Sequence, residues 1–145
     1  MYATRDISRV MRLVAWLLLF VAAPASAWVG VGAAPTCEAR TIQAAINTIM
    51  ARQRAGDFSD PLIVVTGGSF NEALGIDGRD INGHVIAITG GYAADCSGPQ
   101  VGSVTTINAL HRNGSALTIR GSITVSLDKL ALTGATTSGN GGGIY

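Results

Sequence analysis

Short β-prone segments, each closed by glycine, recur along the second half of this chain. They are Ile63-Val64-Val65-Thr66-Gly67, Ile86-Ala87-Ile88-Thr89-Gly90, Leu117-Thr118-Ile119-Arg120-Gly121 and Leu130-Ala131-Leu132-Thr133-Gly134. Sixteen of the nineteen glycines fall between Gly67 and Gly143, so long uninterrupted helices are excluded there. Taking one residue per cluster, Val64, Ile86, Ile107 and Leu130 are separated by 22, 21 and 23 positions. A second series, Leu74-Gly75-Ile76, Leu117-Thr118-Ile119 and Ile144, is offset from the first, with one member missing near Asp95. Two interleaved series at such a spacing predict a solenoid whose turns each contribute more than one short parallel strand. Within the strands, the alternation of Ile86 with Ile88, Leu117 with Ile119 and Leu130 with Leu132 sets the inward positions. The competing architecture is an antiparallel sandwich. It is disfavoured because Asn82-Gly83, before Val85-Ile88, is the one good two-residue hairpin signal.

The chain before this region has a different character. Arg5, Arg9 and Arg12 precede an eleven-residue apolar run, Leu13 to Ala23, and Ala25-Ser26-Ala27 gives a small-x-small cleavage site. This predicts a secretory signal over residues 1–27, cut between Ala27 and Trp28. A single membrane anchor is the alternative, but eleven apolar residues are too few to cross a hydrocarbon core of about 30 Å. The whole chain carries ten basic and nine acidic residues; without Arg5, Arg9, Arg12 and Asp6 it carries seven and eight, and no basic stripe is left to attract nucleic acid or anionic lipid. About 118 residues then remain, enough for a modest core.

Trp28 to Thr36 is small and without period, and residues 28–40 read as a linker and pre-cap segment. Next, Ile42, Ala45, Ile46, Ile49 and Met50 form one apolar stripe at helical spacing. Thr41 is placed to cap the N-terminus, Arg52 and Arg54 suit the last turn, and Gly56 suits the position just past the end. The helix is expected over Thr41 to Ala55. Cys37 and Cys96 both lie beyond the leader, and an even pair in an exported chain favours a disulfide, the other option being two separately buried thiols. Two cysteines with no nearby histidine fall short of a zinc site.

Several motifs add up to a resemblance. The helix beginning Thr41-Ile42-Gln43-Ala44-Ala45-Ile46 is similar to the N-terminal cap of right-handed parallel β-helix proteins, the pectin-lyase-like superfamily. Thr89-Gly90-Gly91-Tyr92-Ala93-Ala94-Asp95, followed by Thr105-Thr106-Ile107-Asn108, resembles the first coils of bacterial surface members. Leu127-Asp128-Lys129-Leu130-Ala131-Leu132-Thr133-Gly134, running into Gly141-Gly142-Gly143-Ile144-Tyr145, is similar to repeats of polymorphic outer-membrane proteins. The resemblance covers about Cys37 to Tyr145. It implies an all-β fold, a right-handed parallel β-helix with an N-terminal capping helix over residues 41–145, truncated after about four coils. It also implies a Cys37–Cys96 bond tying the segment before the cap to a loop on the second coil, and an open far end, so that the chain reads as an N-terminal fragment.

Candidate chemistry is sparse. Asp77-Gly78-Arg79-Asp80 could set two carboxylates on one loop, but the intervening arginine reads more simply as a locally paired turn. His84 precedes a strand and His111 stands beside Arg112, neither with a nucleophile or carboxylate at a telling spacing. Asn140-Gly141-Gly142-Gly143 lacks the Gly-Lys-Ser/Thr of a phosphate loop and the aspartate of a calcium nonapeptide. Asn113-Gly114-Ser115 is a glycosylation sequon, meaningful only in a eukaryotic secretory pathway. Phe70, Tyr92 and Tyr145 could stack on sugars, although Phe70 and Tyr92 more simply pack at corners. No catalytic residue, metal ligand or cofactor is assigned. The expected function is an exported surface or secreted scaffold for binding or adhesion. Its expected partners are carbohydrate or a host or cell-surface protein, with no nucleic acid and with membrane met only during export or through an absent anchor. The alternative is a polysaccharide lyase or glycoside hydrolase whose catalytic coils are absent from this chain.

Overall fold

The structure is a computed structural model that describes residues 28–57, 61–79, 84–110, 114–136 and 143–145. The expected leader, Asp80, the Asn82-Gly83 turn, His111, Asn113 and Asn140 to Gly142 lie outside the described residues. In chain order the elements are β1 (Trp28–Val31), α1 (Ile42–Arg54), β2 (Leu62–Thr66), β3 (Gly68–Phe70), β4 (Leu74–Asp77), β5 (Val85–Tyr92), β6 (Thr105–Asn108), β7 (Leu117–Arg120), β8 (Thr124–Asp128) and β9 (Leu130–Thr133). They form three parallel sheets, in the orders β1-β2-β5-β8, β3-β6-β9 and β4-β7. Among the described residues, antiparallel pairing is confined to the isolated bridges Tyr92 to Pro99 and Gly114 to Thr136.

This corrects the expected fold class. The described chain is a small α/β domain, three short parallel sheets and one helix around one core, rather than an all-β right-handed parallel β-helix. The helix is an integral layer: Ile42, Ala45, Ile46, Ile49 and Met50 are at most 4 % exposed and belong to the same apolar cluster as Val29, Ile63, Ile76, Ile88, Ile107 and Leu117. The spacing near 22 residues also proves not to be a structural period. Val64 and Ile86 lie in the first sheet, whereas Ile107 and Leu130 lie in the second. True sheet neighbours are 34 residues apart from Trp28 to Leu62, 25 from Leu62 to Ala87, 39 from Val85 to Thr124 and 43 from Leu74 to Leu117. A fixed repeat needs a fixed offset between neighbours, and these connections vary too widely to supply one. The second series does fall in one sheet, with β4 paired to β7 and Leu117 bridged to Ile144.

Trp28 to Val31, expected as linker, is the edge strand β1, with Val29 and Val31 fully buried. Parallel strands bury nearly every residue where elements cover both faces, and the Ile63-Val64-Val65 run of β2 is at most 1 % exposed. One face of β2 looks into the core. On the other, the Cys37–Cys96 disulfide, with a Cα separation of 5.7 Å, packs over β1. A Cβ on Gly30 would stand 3.1 Å from Cys96 Sγ, and one on Gly32 only 2.8 Å from Cys37 Sγ, so bare backbone at both positions makes room for the bond. The loop bearing Cys37 is closed by the Arg40 guanidinium, which donates to the carbonyls of Gly32, Ala33 and Ala34. The Thr36 hydroxyl donates to the Asp95 carbonyl at 2.7 Å, joining the two disulfide loops a second time.

Helix α1 has the ends its sequence predicts. Thr41 Oγ1 accepts from Ala44 N at 3.1 Å. At the far end Asp57 N donates to Arg52 O and Gly56 N to Gln53 O, a Schellman closure with Gly56 at φ +86°. A further cap comes from a distance. The Glu72 carboxylate accepts from Ile42 N at 2.8 Å and from Gln43 N at 3.0 Å. The first turn has no acidic residue of its own, and Glu72 supplies a negative charge to this end of the helix dipole. The Gln43 side chain then pairs with strand backbone: its Nε2 donates to Gly75 O at 3.0 Å and its Oε1 accepts from Gly75 N at 2.8 Å. That amide covers the β4 edge that β7 leaves open.

Two outcomes are expected from this arrangement. Glu72→Ala lowers stability by about 1–2 kcal/mol in chemical denaturation, because two helix N–H groups lose an ionised acceptor, and Glu72→Gln falls between the two. Replacing both cysteines by serine costs about 2–4 kcal/mol, the usual range for a bond closing a loop of this length, and reduction of the native chain lowers its melting temperature in parallel.

Candidate functional site

The sheet β4-β7 carries a surface groove on its outer side. Strand alternation buries Leu74 and Ile76 of β4 and Leu117 of β7. The same alternation turns Gly75, Asp77, Thr118 and Arg120 outward. The register sets Gly75 beside Thr118 and Asp77 beside Arg120. With Ala73 and Ser115 at one end, these residues line a groove of about 380 Å³. Gly75 forms an open floor, because a Cβ there would meet nothing within 4 Å.

Gly143 to Tyr145 extends this sheet beyond β7. Leu117 N donates to Gly143 O at 3.1 Å, Tyr145 N to Leu117 O at 2.9 Å and Ile119 N to Tyr145 O at 2.8 Å. Leu117 therefore bridges Ile144, and the parallel register puts Tyr145 next to Thr118 on the outer face. Tyr145 is 71 % exposed. One row across the sheet thus reads Gly75, Thr118, Tyr145, and the next reads Asp77, Arg120. The combination is an open floor, a hydroxyl, an exposed aromatic ring and paired charges.

The electrostatics of the second row are local. Arg79 Nε donates to Asp77 Oδ1 at 2.8 Å, and Arg79 Nη2 donates to Oδ2, a bidentate pair. The guanidinium hydrogen bond is the largest influence on Asp77 and holds its carboxyl down to about 2. Desolvation works the other way, while the Arg79 backbone N–H and the charges of Arg79 and Arg120 lower it further. Such a carboxylate stays ionised and donates no proton near neutrality, so it is unsuited to general acid work.

The other candidate residues are placed as follows. Cys37 and Cys96 are joined to each other, and neither lines the groove. Ala27 lies outside the described residues, and Trp28 begins β1. Asp77 and Arg79 form the local pair that their turn suggested. His84 precedes β5, and its carbonyl accepts from Thr124 N at 2.9 Å. Phe70 ends β3 and packs against the core, and Tyr92 is half-buried at the end of β5. Asp95 sits in the disulfide loop, where the Ser97 hydroxyl, donating at 2.6 Å, lowers its carboxyl. No group of three His, Cys, Asp or Glu that could hold a metal ion is present among the described residues. No described helix is long and apolar enough to cross a membrane.

The Asp77 pairing has a measurable consequence. A carboxyl depressed in the folded state contributes stability above its ordinary value of 3.8, and that contribution is lost as pH falls through about 2. Followed by carboxyl-carbon NMR, Asp77 of the native chain titrates near 2, and Arg79→Ala moves its midpoint up toward the ordinary range. A native midpoint that Arg79→Ala leaves unmoved would refute the pairing. No protein-family model, curated protein or solved structure matches this chain.

Proposed function

We propose that this chain is an exported binding module that presents the outer face of β4-β7 to a saccharide at a cell surface or in the surrounding medium. The single observation behind the reading is the row Gly75, Thr118, Tyr145 lying beside Asp77 and Arg120. An exposed ring offers an apolar face for a sugar ring, while fixed hydroxyl, carboxylate and guanidinium groups offer the directional partners that sugar hydroxyls need. The strand backbone behind them is paired, so the contacts are held on a rigid surface rather than on a loop.

Export is supported by the leader-like residues 1–27 and by the disulfide, since such bonds persist in oxidising compartments. Binding is favoured over hydrolysis by the state of Asp77. A glycoside hydrolase sets one carboxyl with a raised proton affinity against a second carboxylate, whereas the carboxyl in this groove is held ionised by Arg79.

The test is a glycan array probed with the secreted protein, followed by calorimetry on the ligands that bind. Tyr145→Ala is expected to weaken binding by about tenfold, the share of one lost stacking contact. Gly75→Leu, whose Cβ would meet nothing within 4 Å and whose branch would occupy the floor, is expected to abolish binding while the melting temperature is retained. Glycan binding that neither substitution changes would place the ligand elsewhere, and an array without binders would remove saccharide as the ligand class.

A further inference from the structure

The charged side chains around the β4-β7 groove are not equally committed. Both Asp77 oxygens are taken by Arg79, Oδ1 by Nε at 2.8 Å and Oδ2 by Nη2, and Oδ1 also accepts from the Arg79 backbone N at 3.3 Å. The Glu72 carboxylate, next to Ala73 at the rim, is bound by the N–H groups of Ile42 and Gln43. Elsewhere the Arg40 guanidinium is spent on three carbonyls and that of Arg52 on Glu38. Arg120 differs. It lines the groove, and among the described residues no hydrogen bond or ion pair holds its guanidinium. Its register partner Asp77 is a neighbouring charge whose hydrogen bonds go to Arg79.

The Asp77–Arg79 pair is neutral as a unit, so the charge left over on the groove is that of Arg120. A guanidinium is a planar fork of N–H donors with no acceptor, and an oxyanion matches it by taking two of those bonds at once. A sugar hydroxyl offers the same fork no charge and only one oxygen. Position agrees with this chemistry. Thr118 and Arg120 are two residues apart on β7, about 7 Å, so a ring over Thr118 and Tyr145 carries its substituents into the reach of Arg120. The chain as a whole would not attract anions. Beyond residue 27, seven basic residues stand against eight acidic ones, so a preference for negative ligands has to come from the groove itself.

We propose that the ligand of this groove is an anionic saccharide, and that Arg120 selects it by binding a sulfate, phosphate or carboxylate substituent through its guanidinium fork. The proposal rests on the saccharide reading above and adds to it the charge class of the ligand and the residue that reads that charge. Tyr145 and Thr118 then hold the ring in either charge state, while Arg120 distinguishes one state from the other.

The experiment is calorimetry on the disulfide-intact protein with matched saccharides, each neutral sugar set against its sulfated, phosphorylated and uronic-acid forms. The native chain is expected to bind at least one anionic form about tenfold more tightly than the neutral sugar, the share of one charge-assisted pair at an exposed site. The preferred form names the substituent. Arg120 is exposed, so Arg120→Gln is expected to remove the preference while the neutral sugar's affinity and the melting temperature stay unchanged. Arg120→Lys, which keeps the charge and loses the fork, is expected to retain part of it. Equal binding of neutral and anionic forms, or a preference that Arg120→Gln leaves intact, would overturn the proposal. The saccharide reading survives either result if Tyr145→Ala still weakens both forms. Inorganic sulfate binding as tightly as the sulfated sugar would also overturn it, because the ring would then play no part. A panel that binds in no form removes both readings.

Discussion

A parallel sheet of two four-residue strands does not hold together alone in water, so β4-β7 depends on burying one face in a core that other elements complete. That shared core is the constraint on which the domain rests. Leu74, Ile76 and Leu117 from this sheet meet Ile63, Ile86 and Ile88 from the first, Ile107 from the second and the stripe of α1. None of the three sheets has a second apolar layer of its own. Each contact therefore serves two elements at once, and the helix is as necessary to the fold as any strand.

The helix was legible because its determinants are local. An apolar stripe at a 3.6-residue period, a threonine before it and a glycine after it all fall within sixteen residues, from Thr41 to Gly56. The Glu72 cap was not legible. It reaches Ile42 from 30 residues away, and a glutamate in a loop carries no mark of the N–H groups it will accept. Sheet membership failed for a related reason. Even spacing of β-prone clusters says that strands recur, but not which strands become neighbours. Val64 and Ile107 occupy comparable places in the sequence pattern and different sheets in the structure. Connection lengths, which decide neighbours, vary with loops such as the one holding Cys96.

The site divides in the same way. Asp77 and Arg79 are two residues apart, and their pairing followed from the sequence of the turn. The disulfide followed from there being two cysteines beyond a leader-like stretch. What sequence could not supply was the position of Tyr145 beside Thr118, since that neighbourship is created by the register of Leu117 with Ile144, 27 residues away. An aromatic residue after a glycine run is chemically ambiguous until a strand pairing gives it a face.

The groove and the helix end are mechanically linked, and this follows from two side chains. Glu72 precedes Ala73 at the rim of the groove, and it holds the first two free N–H groups of α1. Gln43, in that same first turn, holds both backbone groups of Gly75 on the groove floor. A rigid helix terminus thus fixes β4 at two points on either side of Leu74, and the buried Leu74 side chain fixes it at a third. The strand cannot twist or slide relative to β7 without breaking a charge-assisted bond at one end of that span or an amide pair at the other. The short strand that lines the site therefore takes its rigidity less from its own ladder than from the helix behind it.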